Sequence, residues 1–81
     1  MKKIINGLLY DTENADLISA TGNHIISECL YRTKNGRYFL YEYLDGYEFL
    51  RPLNSIEVFR WLSDNDPDLA LELFPEKIKE A

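Results

Sequence analysis

Short hydrophobic runs bounded by turn residues occupy residues 3–10, and the alternating pattern of half-buried β-strands covers residues 24–53. The first two runs, residues 3–5 and 8–10, flank the dipeptide Asn6-Gly7. Asn-Gly favours a type I′ turn, in which both central residues have positive φ angles. The pattern therefore predicts an N-terminal β-hairpin.

A short helix is predicted after this hairpin, over residues 13–20. Asp11 or Thr12 can cap its N-terminus, and apolar residues three positions apart would share one face. Gly22 follows where a helix C-cap is expected, because glycine adopts the left-handed conformation without strain.

Three further strands are predicted as an antiparallel meander. They cover residues 25–33, 37–44 and 47–51. The segments that join them have the composition of hairpin turns, and they are Lys34-Asn35-Gly36 and Asp45-Gly46. Pro52 has no backbone N–H and ends the last strand.

A helix over residues 54–65 is predicted next. Asn54 or Ser55 can be its N-cap, and Glu57 stands at the capping-box position for Asn54. An apolar stripe on this helix is expected to face the sheet, and it consists of Ile56, Phe59 and Leu62, with Val58 and Trp61 beside it.

A second helix is predicted over residues 67–74. Asp66 suits its N-cap, and Pro67 suits the first helical position, where no backbone N–H is needed. Pro75 ends this helix, and residues 77–81 are expected to be a frayed tail.

Together these elements predict a single α+β domain over residues 1–81. Its small antiparallel sheet, made of the hairpin and the three-stranded meander, would carry two or three short helices on one face. The chain has 81 residues, of which 46% are hydrophobic and 28% charged, and this composition suits one folded domain.

No apolar run approaches the roughly 20 residues of a membrane span. The single cysteine, Cys29, excludes an internal disulfide and favours a reducing, cytoplasmic location.

Three groups of residues carry a resemblance to known proteins. They are Met1-Lys2-Lys3-Ile4-Ile5-Asn6-Gly7 with Tyr10-Asp11-Thr12, then Leu30-Tyr31-Arg32-Thr33-Lys34 with Gly36 and Tyr38-Phe39-Leu40, and finally Pro52-Leu53 before the helix that contains Trp61. In these residues the chain resembles a family of small, mostly uncharacterised proteins carried by phages and conjugative elements of Gram-positive bacteria. Some proteins that look like this are anti-CRISPR inhibitors, so the resemblance implies an anti-CRISPR-like role. Family members often carry an insertion after the central hairpin, where this chain has only a tight turn, so no function of that insertion is expected here.

Residue types needed for catalysis or metal binding are scarce. His24 is the one histidine and Cys29 the one cysteine, whereas a structural zinc site takes four Cys or His ligands. Nucleophilic catalysis through histidine needs that side chain oriented by other groups, and no glycine-rich phosphate loop is present. We therefore expect no enzyme activity, no metal and no cofactor.

Six aromatic residues fall within residues 38–49. Alternation along the predicted strand puts two sets of side chains on opposite faces, Phe39, Tyr41 and Tyr43 on one and Tyr38, Leu40 and Leu44 on the other. Because tyrosine-rich surfaces bind proteins, Tyr41, Tyr43 and Tyr47 are candidate partner-binding residues. The alternative is that these rings fill a core that is short of aliphatic side chains.

Acidic residues are concentrated near the C-terminus. Residues 64–81 carry six acidic and two basic side chains, within a net charge of −5 for the chain. Five of the acidic residues recur at every fourth position, as Asp64, Asp68, Glu72, Glu76 and Glu80. On a continuous helix they would form a stripe suited to a basic channel, which makes Asp64, Asp68 and Glu72 candidate partner-binding residues. The alternative is a solvated acidic face, since Pro67 and Pro75 interrupt any single helix.

These observations favour a non-enzymatic protein that binds and inhibits a host defence protein with a basic surface, such as a CRISPR nuclease. The alternative is a small structural or assembly module that acts as a homodimer without a host partner. Direct nucleic-acid binding is disfavoured, because the net charge is negative and Glu42, Asp45 and Glu48 stand among the aromatic residues. No membrane partner is expected.

Overall fold

Six strands and two helices follow one another along the chain in the computed structural model, which describes residues 1–81. The strands are β1 (Lys2–Ile5), β2 (Leu8–Asp11), β3 (Asp16–Gly22), β4 (Ile26–Arg32), β5 (Tyr38–Leu44) and β6 (Tyr47–Leu53). The helices are α1 (Ser55–Asn65) and α2 (Pro67–Leu73), and 3₁₀ turns cover Thr12–Asn14 and Pro75–Lys77. β1 and β2 form an antiparallel hairpin, and β3 to β6 form a four-stranded antiparallel meander in chain order. The predicted α+β class is confirmed.

The helix predicted over residues 13–20 is wrong, because these residues form the end of a 3₁₀ turn and most of β3. An isolated helix of this length is marginal, whereas pairing with β4 offers the same backbone a hydrogen-bonded ladder. Gly22, predicted as a helix C-cap, lies at the end of β3 with a φ of +112°. A Cβ at this position would collide with the carbonyl oxygen of Ile26, so the turn between β3 and β4 requires glycine.

Two of the hairpin turns have the geometry that their sequences predict. Asn6 and Gly7 have φ angles of +52° and +76°, and Asp45 and Gly46 have +44° and +87°, as in type I′ turns. The turn between β4 and β5 differs, because only Gly36, with a φ of +86°, is left-handed there. Asn-Gly therefore closes a longer loop in this hairpin.

Both helices begin as predicted. The Asn54 side chain accepts a hydrogen bond from the N–H of Glu57 at 2.9 Å, and the Glu57 carboxylate accepts one from the N–H of Asn54 at 3.0 Å. Asp66 caps α2, because its carboxylate accepts from the N–H of Leu69, and Pro67 lies in the first turn. Neither helix has the length and apolar character that a membrane crossing requires.

The two helices pack on one face of the sheet, which we call the helix side. Its buried layer consists of Leu30, Leu40 and Leu53 from the strands and Val58, Trp61, Leu62 and Ala70 from the helices. α1 is therefore rotated relative to the predicted stripe, and Ile56 is 58% exposed. Phe59 is half-buried, and its ring meets that of Phe74 edge to face at 5.5 Å. Ile78, in the predicted frayed tail, is half-buried against the same layer.

The opposite face of the sheet, which we call the hairpin side, is covered in part by β1 and β2. Phe39 and Leu50 are buried there together with Tyr10. The rings of Tyr10 and Phe39 meet edge to face with centroids 5.5 Å apart, and Tyr31 stacks on Phe39 at 5.2 Å. Such pairs add about 0.5–1.5 kcal/mol beyond area burial. Part of the aromatic cluster seen in the sequence therefore forms a second core.

Candidate protein-binding surface

The helices cover only one end of the helix side, and the uncovered end of that face is apolar. Leu44 lies directly opposite Ile26 on β4 and Tyr47 on β6, and Phe49 shares the same face. These four side chains are between 46% and 69% exposed, and we call them the distal strip. Contiguous exposed apolar side chains of this kind mark interaction surfaces in folded proteins.

A groove of about 360 Å³ runs beside the distal strip, between α1 and the sheet. It is lined by Glu28, Arg51, Leu53, Glu57, Arg60, Trp61, Asp64 and Asn65, and we call it the charged groove. Glu28 connects the two features, because it follows Ile26 on the same face of β4 by one alternation step.

The carboxylates of the charged groove are unequally neutralised. Arg51 donates to Glu42 at 3.3 Å and lies 3.7 Å from Glu57. Glu28 stands directly opposite Glu42 across β4 and β5, an arrangement of like charges that destabilises a sheet. Neither Glu28 nor Asp64 has a cation within 4.0 Å, and Arg60 has no carboxylate within that distance. The groove thus leaves two carboxylates and one guanidinium available to a partner.

Trp61 forms the part of the groove wall nearest the core. Trp61 is only 8% exposed, and its Nε1–H has no hydrogen-bond acceptor. Buried tryptophan N–H groups usually find an acceptor, since an unpaired buried donor costs free energy. The ring packs in the buried layer between α1 and the sheet.

The tyrosines singled out by the sequence lie on two different faces. Tyr47 belongs to the distal strip, whereas Tyr41 and Tyr43 lie on the hairpin side together with Phe39. The Tyr41 hydroxyl donates to Glu48 at 3.0 Å. Burial, and then the Glu48 carboxylate, raise the pKa of Tyr41. Tyr41 is thus held in place by its own sheet.

The acidic residues of the C-terminus do not form one stripe. α1 ends at Asn65, and Asp66 leaves the helical conformation with φ −151° and ψ +71°, so the continuous helix on which a stripe would form is absent and the chain is interrupted at Pro67 as expected. Asp64 stays on α1 and faces the charged groove, whereas Asp68 and Glu72 are exposed on α2. Glu76 lies in the following 3₁₀ turn and Glu80 beyond it, so only Asp64 joins the site.

His24 and Cys29 lie apart from this surface. His24 is exposed in the turn between β3 and β4, where the Asn23 side chain accepts from the N–H groups of Ile25 and Ile26. Cys29 is half-buried on the hairpin side, opposite Tyr41, and burial raises the pKa of its thiol. A raised pKa lowers the thiolate fraction at neutral pH and so lowers nucleophilicity.

Sequence reasoning missed Ile26, Leu44 and Phe49 as members of the site. Alternation alone places Leu44 on the face of Leu40, which suggests burial. The available signal was the length of the helix. With eleven residues at a rise of about 1.5 Å each, α1 cannot cover four strands across their whole extent.

Comparison with models of protein families, with curated proteins and with solved structures finds no match to this chain.

Proposed function

We propose that this protein is a non-enzymatic binding protein whose helix side contacts a partner that presents apolar and basic side chains. The observation that carries the proposal is the distal strip, which remains uncovered next to carboxylates that lack a cation. Burying the strip against a partner gains hydrophobic free energy of about 25 cal/mol per Å². A lysine or arginine of the partner, placed beside Glu28 and Asp64, would neutralise these carboxylates. Neutralising Glu28 would relieve its repulsion with Glu42.

The charge of the chain supports the same choice of partner. The net charge is −5, and residues 64–81 carry six acidic side chains against two basic ones. Such a field accelerates encounter with a positively charged surface and disfavours an acidic one.

The resemblance to proteins of phages and conjugative elements favours one class of partner. Within this proposal the partner is a host defence protein that handles nucleic acid, such as a CRISPR nuclease, because its nucleic-acid channel supplies the basic surface. The protein would inhibit by occupying that surface in place of the phosphate backbone.

The test is capture of host proteins by the purified chain, followed by binding measurements with each purified candidate. Phe49→Ser should weaken binding at least about fivefold, since truncating a central apolar anchor costs more than about 1 kcal/mol. Leu71→Ser is the matched control, because Leu71 on α2 and Phe49 are both 52% exposed. Equal binding by both variants would overturn the proposal.

A homodimeric assembly module is the second candidate, since the distal strip of one copy can cover that of another. It predicts self-association in analytical ultracentrifugation that Phe49→Ser abolishes, with no host partner captured. A monomeric chain at high concentration excludes this candidate.

A further inference from the structure

We propose that the outer edge of β3 accepts an extended segment of the partner, in which apolar side chains alternate with lysine or arginine. This inference rests on the proposed function and names the backbone contact through which it operates. Addition of a strand to a sheet edge is a common mode of peptide recognition, because the main chain supplies affinity and the alternate side chains supply specificity.

The two edges of the sheet are not equivalent. β6 carries Glu48, Arg51 and Pro52, and charged residues and proline are the usual means of blocking an edge. β3 contains neither a proline nor a charged residue from Leu17 to Gly22. Its backbone pairs only with β4, so the outward N–H and C=O groups have no partner within the molecule.

The free edge is long enough for a short ladder. A register shift between Leu17 and Ser19 marks a bulge, so the part of β3 in continuous register with β4 covers residues 19–22. At about 3.3 Å per residue this part spans about 13 Å.

Acidic groups flank the helix side of this edge. Ser19 and Thr21 point to the helix side, where the Ser19 hydroxyl donates to Asp66 at 2.7 Å and Thr21 lies opposite Glu28. Asp64 lines the same groove as Glu28. A strand added to β3 would therefore meet carboxylates on its helix side.

Apolar groups flank the other side of the same edge. Leu17 and Ala20 are exposed on the hairpin side, opposite Tyr31 and Cys29 of β4. Because successive side chains of a strand point to opposite faces, the matching segment alternates basic with apolar residues.

Charge favours a partner segment over a second copy of this chain. Antiparallel pairing of two β3 strands about an axis normal to the sheet would put both helix layers on the same face. It would thereby bring the Asp66 carboxylates of two chains, each of net charge −5, near the same axis. Like charges brought together in this way oppose association.

The test uses a blocked peptide of about four Val-Lys repeats, which is long enough to span the strand. Hydrogen exchange followed by NMR on the isotopically labelled chain should show slowed exchange of amides within residues 19–22 when the peptide is added. A peptide of the same composition with its lysines in one block, and a Val-Glu repeat, should bind at least about tenfold more weakly.

Ala20→Lys places a charged side chain on the hairpin side of the edge, against the valines of the added strand, and should weaken binding of the Val-Lys peptide at least about tenfold. Leu71→Lys makes the same charge change on α2 and should alter binding less than about twofold. Protection confined to β6 or the helices, or equal binding of all peptides, would overturn the inference. Protection of residues 19–22 in the chain alone, accompanied by dimerisation in the ultracentrifuge, would also overturn it.

The peptide assay tests β3 and the Phe49→Ser assay tests the distal strip, so the inference and the proposed function can fail separately.

Discussion

Gly22 shows how much can depend on a single backbone position in this chain. Its φ of +112° is unfavourable for any residue with a Cβ, and a Cβ would also collide with the Ile26 carbonyl oxygen. We expect Gly22→Ala to lower the free energy of unfolding by more than the about 1–3 kcal/mol of backbone strain alone. Gly7→Ala is the control, since Gly7 has a φ of +76° but open space around it. Urea denaturation measures both variants, and equal losses would contradict the contact described at Gly22.

Tyr41 gives the fold a predicted dependence on pH. Burial and the Glu48 carboxylate raise the pKa of Tyr41 in the folded state, so the folded chain keeps this proton to higher pH than the unfolded chain does. The resulting stabilisation is present below the ordinary tyrosine pKa of about 10 and is lost as pH rises above it. Tyr41→Phe should therefore lose less stability above about pH 10 than the parent chain. Denaturant unfolding across this range tests it, with Tyr47→Phe as the exposed control; identical pH profiles for all three chains would refute the assignment.

At the scale of elements, α1 shows that a helix can be predicted correctly while its buried face is predicted incorrectly. Leu62 is fully buried and Ile56 is 58% exposed, although the spacing places both on one stripe. Leu62→Ala should cost about 2–5 kcal/mol of unfolding free energy, because it opens a cavity in the core. Ile56→Ala should change it by less than about 1 kcal/mol, as expected of a surface position. Comparable effects of the two substitutions, measured by denaturant unfolding, would show that α1 packs as the stripe predicts.

Local chemistry accounts for the elements that the sequence predicts well. The turns at Asn6-Gly7 and Asp45-Gly46 and the capping box of Asn54 and Glu57 are each specified by residues within a few positions of one another. β3 could not be recognised in the same way, because its state depends on pairing with β4, and its own residues fit a short helix equally well.

The distal strip illustrates the same limit for the site. Strand alternation puts Leu44 and Tyr47 on definable faces, but their exposure depends on where the helix layer ends, which is a property of the assembled molecule. Asp64 was identified from charge and spacing, and its position beside the charged groove depends on how α1 packs against the sheet. The residue types were readable from the sequence, and their juxtaposition was not.

At the scale of the whole molecule, the position of each carboxylate decides how much it affects encounter with a basic partner. Asp64 faces the charged groove, whereas Asp68 is exposed on α2 outside it. Asp64→Lys should lower the association rate constant more than Asp68→Lys, and the difference should shrink as salt screens charges beyond about 8 Å. Stopped-flow association with the captured partner measures both variants. Equal effects at low salt would mean that net charge, and not the groove, directs the encounter.

The hydrogen bond from Ser19 to Asp66 has a consequence for the order of folding. Each strand of the meander pairs with its neighbour in the chain, so the sheet can form from local hairpins at low entropic cost. The Ser19–Asp66 bond instead joins residues 47 positions apart, linking the edge strand to the residue that caps α2. We expect this contact to form after the main barrier, so Ser19→Ala should accelerate unfolding and leave the folding rate nearly unchanged in stopped-flow measurements. A slower folding rate would instead place the closure between β3 and α2 inside the transition state.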